Sequence, residues 1–144
     1  MMKMIKIAVA ALSLFAFTGV AHADGDAAKG KKTFNKCKAC HKVGDGAKNG
    51  VGPELNGIIG RKAGAAEKFK YSKLIKGAAE LGLVWDEATL DKYLDKKGMN
   101  KTLKAFIEEK GGKPKGKSKM AFAGLKKPTD RANVIAYLKT FAAK

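Results

Sequence analysis

The chain has 144 residues, with 30 Lys and Arg against 13 Asp and Glu, a formal net charge of +17, two cysteines and two histidines. That length allows one domain with a modest core. Such a charge suits either a nucleic-acid binder or a protein that docks on acidic partners or anionic membrane surfaces, and export, argued next, leaves the first with little nucleic acid to meet.

Lys3 and Lys6 precede a 14-residue uncharged stretch, Ile7 to Val20, and Ala21-His22-Ala23 follows it. This is the pattern of a cleavable signal peptide over residues 1–23, cut after Ala23. The alternative is an uncleaved anchor, but the apolar run is shorter than the ~20 residues a spanning helix needs. Residues 24–144 then form a single exported domain of 144 − 23 = 121 residues. The signal holds two lysines and no acids, so the domain's charge is +17 − 2 = +15, and His41 is its only histidine. A two-histidine metal site within one molecule is thereby excluded.

Within that domain the periodicity is helical, with no internal repeat and little strand signal. Asp26 is placed to cap a first helix in which Ala27, Gly30, Phe34 and Cys37 share a face. Residues 42–70 are rich in glycine and read as structured loop. Ser72 opens a short helix, "SKLIKGAAELG". Asp86 opens another, "DEATLDKYLDKKG", with Leu90, Tyr93 and Leu94 inward and Gly98 as its stop. Asn100 is expected to cap "NKTLKAFIEEKGG", with Leu103, Phe106 and Ile107 inward. After the lysine-rich loop "GGKPKGKSK", Thr129 is expected to cap the last helix, where Val134, Tyr137, Leu138 and Phe141 form the stripe. The result is an all-α fold with long glycine loops and few aliphatic residues, a core that a large apolar cofactor would complete.

Both cysteines and that single histidine fall within "NKCKACHKVG", as Cys37, Cys40 and His41. Structural zinc needs four ligands, normally in two separated pairs, and only three are present, all local. A redox dithiol would sit beside a βαβ pattern, which is missing, and a disulfide between i and i+3 closes too small a loop to stabilise much. On a helix, i, i+3 and i+4 share a face. Two thiols can then add to two haem vinyl groups while the imidazole coordinates iron, and C-x-x-C-H is the signature of that attachment. The sixth position must come from elsewhere. A methionine thioether would raise the reduction potential, and Met99 and Met120 are the candidates, each with core filler as its alternative role.

The segments "GDAAKGKKTFNKCKACHKV", "GVGPELNGIIGRKAG", "FKYS", "LVWDEATLDKYL" and "SKMAFAGLKKPTDRANVIAYLK" occur in this order, and with them nearly all of residues 24–144 resembles the class I cytochromes c, most closely the bacterial cytochrome c2 branch. The resemblance implies helices and glycine-rich loops wrapped around one haem c, attached through Cys37 and Cys40 and ligated by His41 and Met120. It implies that the Pro53 carbonyl accepts from the His41 ring, that Arg61, Tyr71 and Trp85 contact haem propionates, and that Tyr93 lies near the methionine sulfur. Ser118 matches a hydroxyl close to a propionate, and Phe122 a residue beside the exposed haem edge. Gly30 and Phe34 match the crossing of the first and last helices against Tyr137. Two departures stand out: Lys97 replaces a proline of the mitochondrial relatives, and an insertion covers about 98–117.

A haem with both axial positions filled points to outer-sphere electron transfer by a periplasmic carrier rather than to an enzyme. The resemblance implies partners such as a cytochrome bc complex and a photosynthetic reaction centre or terminal oxidase. A monomer that neither spans the membrane nor binds nucleic acid is expected. Lys36, Lys38, Lys42, Lys48, Lys96, Lys97, Lys119, Lys126 and Lys127 flank the expected cleft, and would steer acidic faces of those partners to a lysine-rich haem edge. The alternatives are a haem protein with an open sixth site and a basic adhesion or nucleic-acid protein without haem.

Overall fold

The computed structural model describes residues 24–143, so the signal peptide expected over residues 1–23 lies outside the described residues. Helix α1 (Ala27–Phe34) begins where Asp26, in extended conformation, accepts from the Lys29 N–H at 3.0 Å. This satisfies one of the amides that a helix start leaves without an intrahelical partner. α2 (Lys73–Glu80) and α3 (Glu87–Leu94) start the same way, Ser72 accepting from Ile75 N–H and Asp86 from Thr89 N–H. All three caps match the sequence reading.

Several helix ends differ from it. α3 stops at Leu94, not at Gly98, because the Asp95 carboxylate accepts from the Lys96 N–H at 2.8 Å and from Arg131 at 2.9 Å, drawing the backbone into extended conformation. Lys97 then takes a left-handed φ of 60°, and Gly98 opens α4 (Gly98–Glu109) instead of closing α3. Glycine is required there for contact: a Cβ would overlap the Lys92 carbonyl and come within 3.0 Å of the Tyr93 carbonyl. Asn100 consequently lies inside α4 and does not cap it. α5 (Pro128–Lys139) starts one residue before Thr129, with Pro128 in its first turn and no side-chain cap. Proline's missing N–H and fixed φ suit that position.

A short antiparallel ribbon, β1 (Arg61–Lys62) with β2 (Val84–Trp85), sets Arg61 opposite Trp85. Two residues per strand are too few for alternation to show in a sequence. α1 crosses α5, where Phe34 and Tyr137 rings meet at 5.4 Å and Val134 and Leu138 are buried. In α5 it is Ile135, not Tyr137, that joins them as a fully covered residue. α4 packs on α2 and α3 through Met99, Leu103 and Ile107. Buried Arg131 fastens α5 to α3, donating to Asp91 at 2.7 Å as well as to Asp95, and to the Leu125 carbonyl at 2.9 Å.

Candidate functional site

Beyond α1 the chain does not continue as the expected helix but as hydrogen-bonded turns. Cys40 N–H and His41 N–H both donate to the Cys37 carbonyl, at 3.0 and 2.9 Å. The His41 bond closes a single helical turn, so the i, i+3, i+4 relation survives without a helix. Burial pushes the Cys37 thiol up to about 11, against the pull of the Lys36 charge. A dithiol redox centre needs its thiol lowered instead, whereas a neutral thiol suits addition to a vinyl group. Among the described residues no cluster of three or more His, Cys, Asp or Glu is arranged to hold a metal ion.

His41 is 8% exposed, and its Nδ1 lies 2.8 Å from the Pro53 carbonyl oxygen. A carbonyl only accepts, so Nδ1 carries the proton and Nε2 keeps its lone pair. Burial holds the imidazole below its ordinary range, with the Pro53 contact acting in the opposite direction. The ring rests on Gly52: a Cβ there would sit 2.7 Å from Nδ1 and 2.9 Å from Nε2. The residues that place the histidine are thus in the "GVGP" loop, itself tied back by Gly52 N–H donating to the Cys40 carbonyl at 2.9 Å.

Arg61 is held by Glu54, with Nη1 at 2.9 Å from its carboxylate and Nη2 at 2.7 Å from its carbonyl, and by the Asn56 carbonyl at 3.1 Å. Its Nε is buried and has no acceptor. A buried N–H left unpaired costs ~1–3 kcal/mol, and an incoming carboxylate would remove that cost. The Tyr71 hydroxyl accepts from Ala66 N–H at 3.0 Å, which leaves its own proton to donate. Burial raises the Tyr71 pKa, opposed by that bond and by the nearby Arg61 charge. Trp85 is buried with its ring 4.8 Å from Tyr93.

Tyr93 in turn reaches residues from the far end of the chain: its hydroxyl is 3.4 Å from Ser118 Oγ and donates to Met120 Sδ at 3.7 Å. Met99 behaves differently, 5% exposed and packed in the core beside Leu103. Phe122 is half-buried against the same core. The nine lysines named above are all exposed. Four supporting residues have no motif to mark them in the sequence: Glu54 and Asn56 around Arg61, Asn100, and Arg131. Their roles rest on pairings with distant residues, and only Glu54, an acid beside Pro53 in the glycine-rich loop, offers a local hint.

Two thiols one turn apart, an imidazole fixed in one tautomer and a buried guanidinium N–H without an acceptor all fit haem c, and they define a c-type haem protein. The chain belongs to the cytochrome c family, whose sequence model matches residues 27–142; its prosthetic group is haem c, and Cys37 and Cys40 fit the attachment motif. It is 50% identical over 114 residues to cytochrome c2 of Afifella marina, covering 79% of this chain and 81% of that one. It is 48% identical over 138 residues to cytochrome c-554 of Methylosinus trichosporium, covering 95% and 92%. Among solved structures, cytochrome c2 from Rhodospirillum centenum aligns with a TM-score of 0.78 at 44% identity, over 83% of this chain and all of that one.

Proposed function

We propose that this protein is a periplasmic one-electron carrier, exported by the segment 1–23, with His41 and Met120 as axial ligands of a single haem c. The observation that carries this reading is that each proposed ligand is held by a hydrogen bond to a residue from another segment: His41 Nδ1–H donates to the Pro53 carbonyl, and Met120 Sδ accepts from the Tyr93 hydroxyl. When bound, the haem supplies a one-electron Fe(III)/Fe(II) couple. Pro53 fixes the ring and makes the imidazole a stronger donor. The Met120 thioether and the burial around it favour the reduced state and raise the potential. Arg61 Nε, Tyr71 and Trp85 are the donors for the propionates, with Ser118 close by, offsetting the cost of carboxylates in an apolar cleft. With both axial positions filled and the only histidine after residue 23 committed, the iron keeps no open position for a substrate, and the chain reads as a carrier rather than an enzyme.

The partners are acidic faces of membrane redox complexes, such as a cytochrome bc complex and a photosynthetic reaction centre or terminal oxidase, met at a lysine-rich haem edge. No helix of the described residues is long and apolar enough to cross a membrane; the carrier is read as a monomer that moves between complexes. Lys42→Ala and Lys119→Ala are expected to slow transfer to such a partner several-fold at low salt and to flatten its dependence on ionic strength. Lys139→Ala, which costs only an exposed pair with Glu87, should leave both unchanged. Equal effects at the three positions would show a uniformly basic surface instead of a focused one.

A redox titration of the purified holoprotein, read together with its oxidised absorption spectrum, tests the assignment. A single reversible one-electron transition and the weak far-red band of an iron–thioether bond are expected. A missing band, with rapid carbon monoxide binding after reduction, would replace this reading by a haem protein with an open sixth site.

A further inference from the structure

We propose that Asn100, on the inserted helix α4, is a positioning residue for the Met120 sulfur, and that the insertion at about 98–117 acts as a clamp on the strand carrying it. This rests on the reading of Met120 as an axial ligand.

The strand needs a clamp. Among the described residues, 113–124 make no backbone–backbone hydrogen bond; the flanking ones are Gly112 N–H to the Ile107 carbonyl and Leu125 N–H to the Leu94 carbonyl. Within that span the backbone is tied to another element at one point, where the Ser118 N–H donates to Asn100 Oδ1 at 2.7 Å. Ser118 Oγ then accepts from the Met120 N–H at 3.2 Å and lies 3.4 Å from Tyr93 Oη, which is 3.7 Å from Met120 Sδ.

Proton counting gives this chain a direction. A thioether sulfur has no proton to give, so Tyr93 donates to Met120 Sδ. Tyr93 has a single hydroxyl proton, so Ser118 must be the donor between the two hydroxyls. Ser118 Oγ keeps a lone pair for the Met120 N–H. Each donor is used once, and the backbone and the sulfur of Met120 are held by one closed circuit that hangs from Asn100. Asn100 is itself rigidly placed: Gly98 packs on the α3 backbone at Lys92 and Tyr93, and buried Met99 and Leu103 flank it. The third position of α4 thus shares a frame with Tyr93, so the two ends of the circuit cannot drift apart. This also accounts for an asparagine inside the first turn that makes no cap.

The test is competition for the sixth site. Oxidised holoprotein is titrated with imidazole, which displaces the thioether only when the strand opens, and the loss of the far-red iron–thioether band is followed. Asn100→Ala is expected to bind imidazole about five- to tenfold more tightly, since one main-chain hydrogen bond of the closed state is lost. Alanine is the better helix former, so α4 should persist. Asn100→Asp retains an acceptor for the Ser118 N–H and is expected to return within about twofold of wild type, while exposed Lys104→Ala stays at wild type. Unchanged imidazole affinity in Asn100→Ala, with the band present, overturns the clamp; so does an Asn100→Asp variant that binds imidazole as tightly as the alanine variant. If the wild-type band is absent before any imidazole is added, the Met120 assignment itself has failed, and the clamp with it.

Discussion

Met120→Ala is expected to lower the reduction potential by on the order of 0.2 V, within the span that axial ligands control. As the proposed sixth ligand, the thioether would be a weak donor that stabilises the reduced iron, whereas water or a hydroxide in its place would stabilise the oxidised form. A shift of that size corresponds to ~4–5 kcal/mol for one electron, several times the value of any single hydrogen bond around the site. Tyr93 would lose the acceptor for its proton, while Ser118, tied to Asn100, would stay in place. The reduced variant should therefore fold and bind carbon monoxide quickly. Potentiometric titration with carbon monoxide recombination measures both. A change under ~59 mV, one tenfold step for a one-electron couple, together with no carbon monoxide binding, would remove Met120 from the iron. Met99→Leu serves as the companion: buried in the core among apolar neighbours, it should leave the potential where it is.

Gly30→Ala carries the largest expected loss of stability. In an isolated helix the substitution would help by ~1 kcal/mol, because glycine is a poor helix former. Here a Cβ would overlap the Asn133 carbonyl oxygen and lie 2.6 Å from its carbon and 2.8 Å from Tyr137 Cβ. Backbone atoms cannot swing aside as a side-chain tip can, so α5 must retreat from α1. The retreat loosens Phe34 against Tyr137 and stretches the bond from Asp26 N–H to Asn133 Oδ1, now 2.8 Å. A net destabilisation of about 3 kcal/mol is expected, overpacking outweighing propensity. Gly77→Ala in α2 provides the opposite sign: its Cβ would meet Ile107 Cδ1 at an ordinary 3.6 Å, and a gain of about 0.5–1 kcal/mol follows from propensity alone. Urea unfolding of both holoproteins decides the matter, and a Gly30→Ala variant as stable as wild type would show that the crossing is looser than the packing implies.

These two glycines lie within helices of the same length, α1 and α2, and although Gly30 falls on the face it shares with Phe34, that pattern does not say what lies across the interface. What differs is the partner across the interface, backbone at one and a side-chain end at the other. The same division runs through the site. Cys37, Cys40 and His41 are legible because haem attachment is completed within one turn, where sequence spacing is spatial spacing. Met120 is marked in the sequence only by family resemblance, since nothing local distinguishes it from Met99.

By itself, then, the sequence determined the cofactor chemistry and the starts of α1, α2 and α3, because a C-x-x-C-H turn and an Asp or Ser cap are settled by atoms three or four residues away. Tertiary structure decided where α3 ends, what Asn100 is for, which groups hold Arg61 and which methionine meets Tyr93. Those depend on residues 5 to 40 positions apart, as in Arg61 with Asn56, Ser118 with Asn100 and Arg131 with Asp91. Polar side chains take the best partner the whole fold offers, and Asn100, expected to cap its own helix, instead accepts from the distant Ser118 N–H.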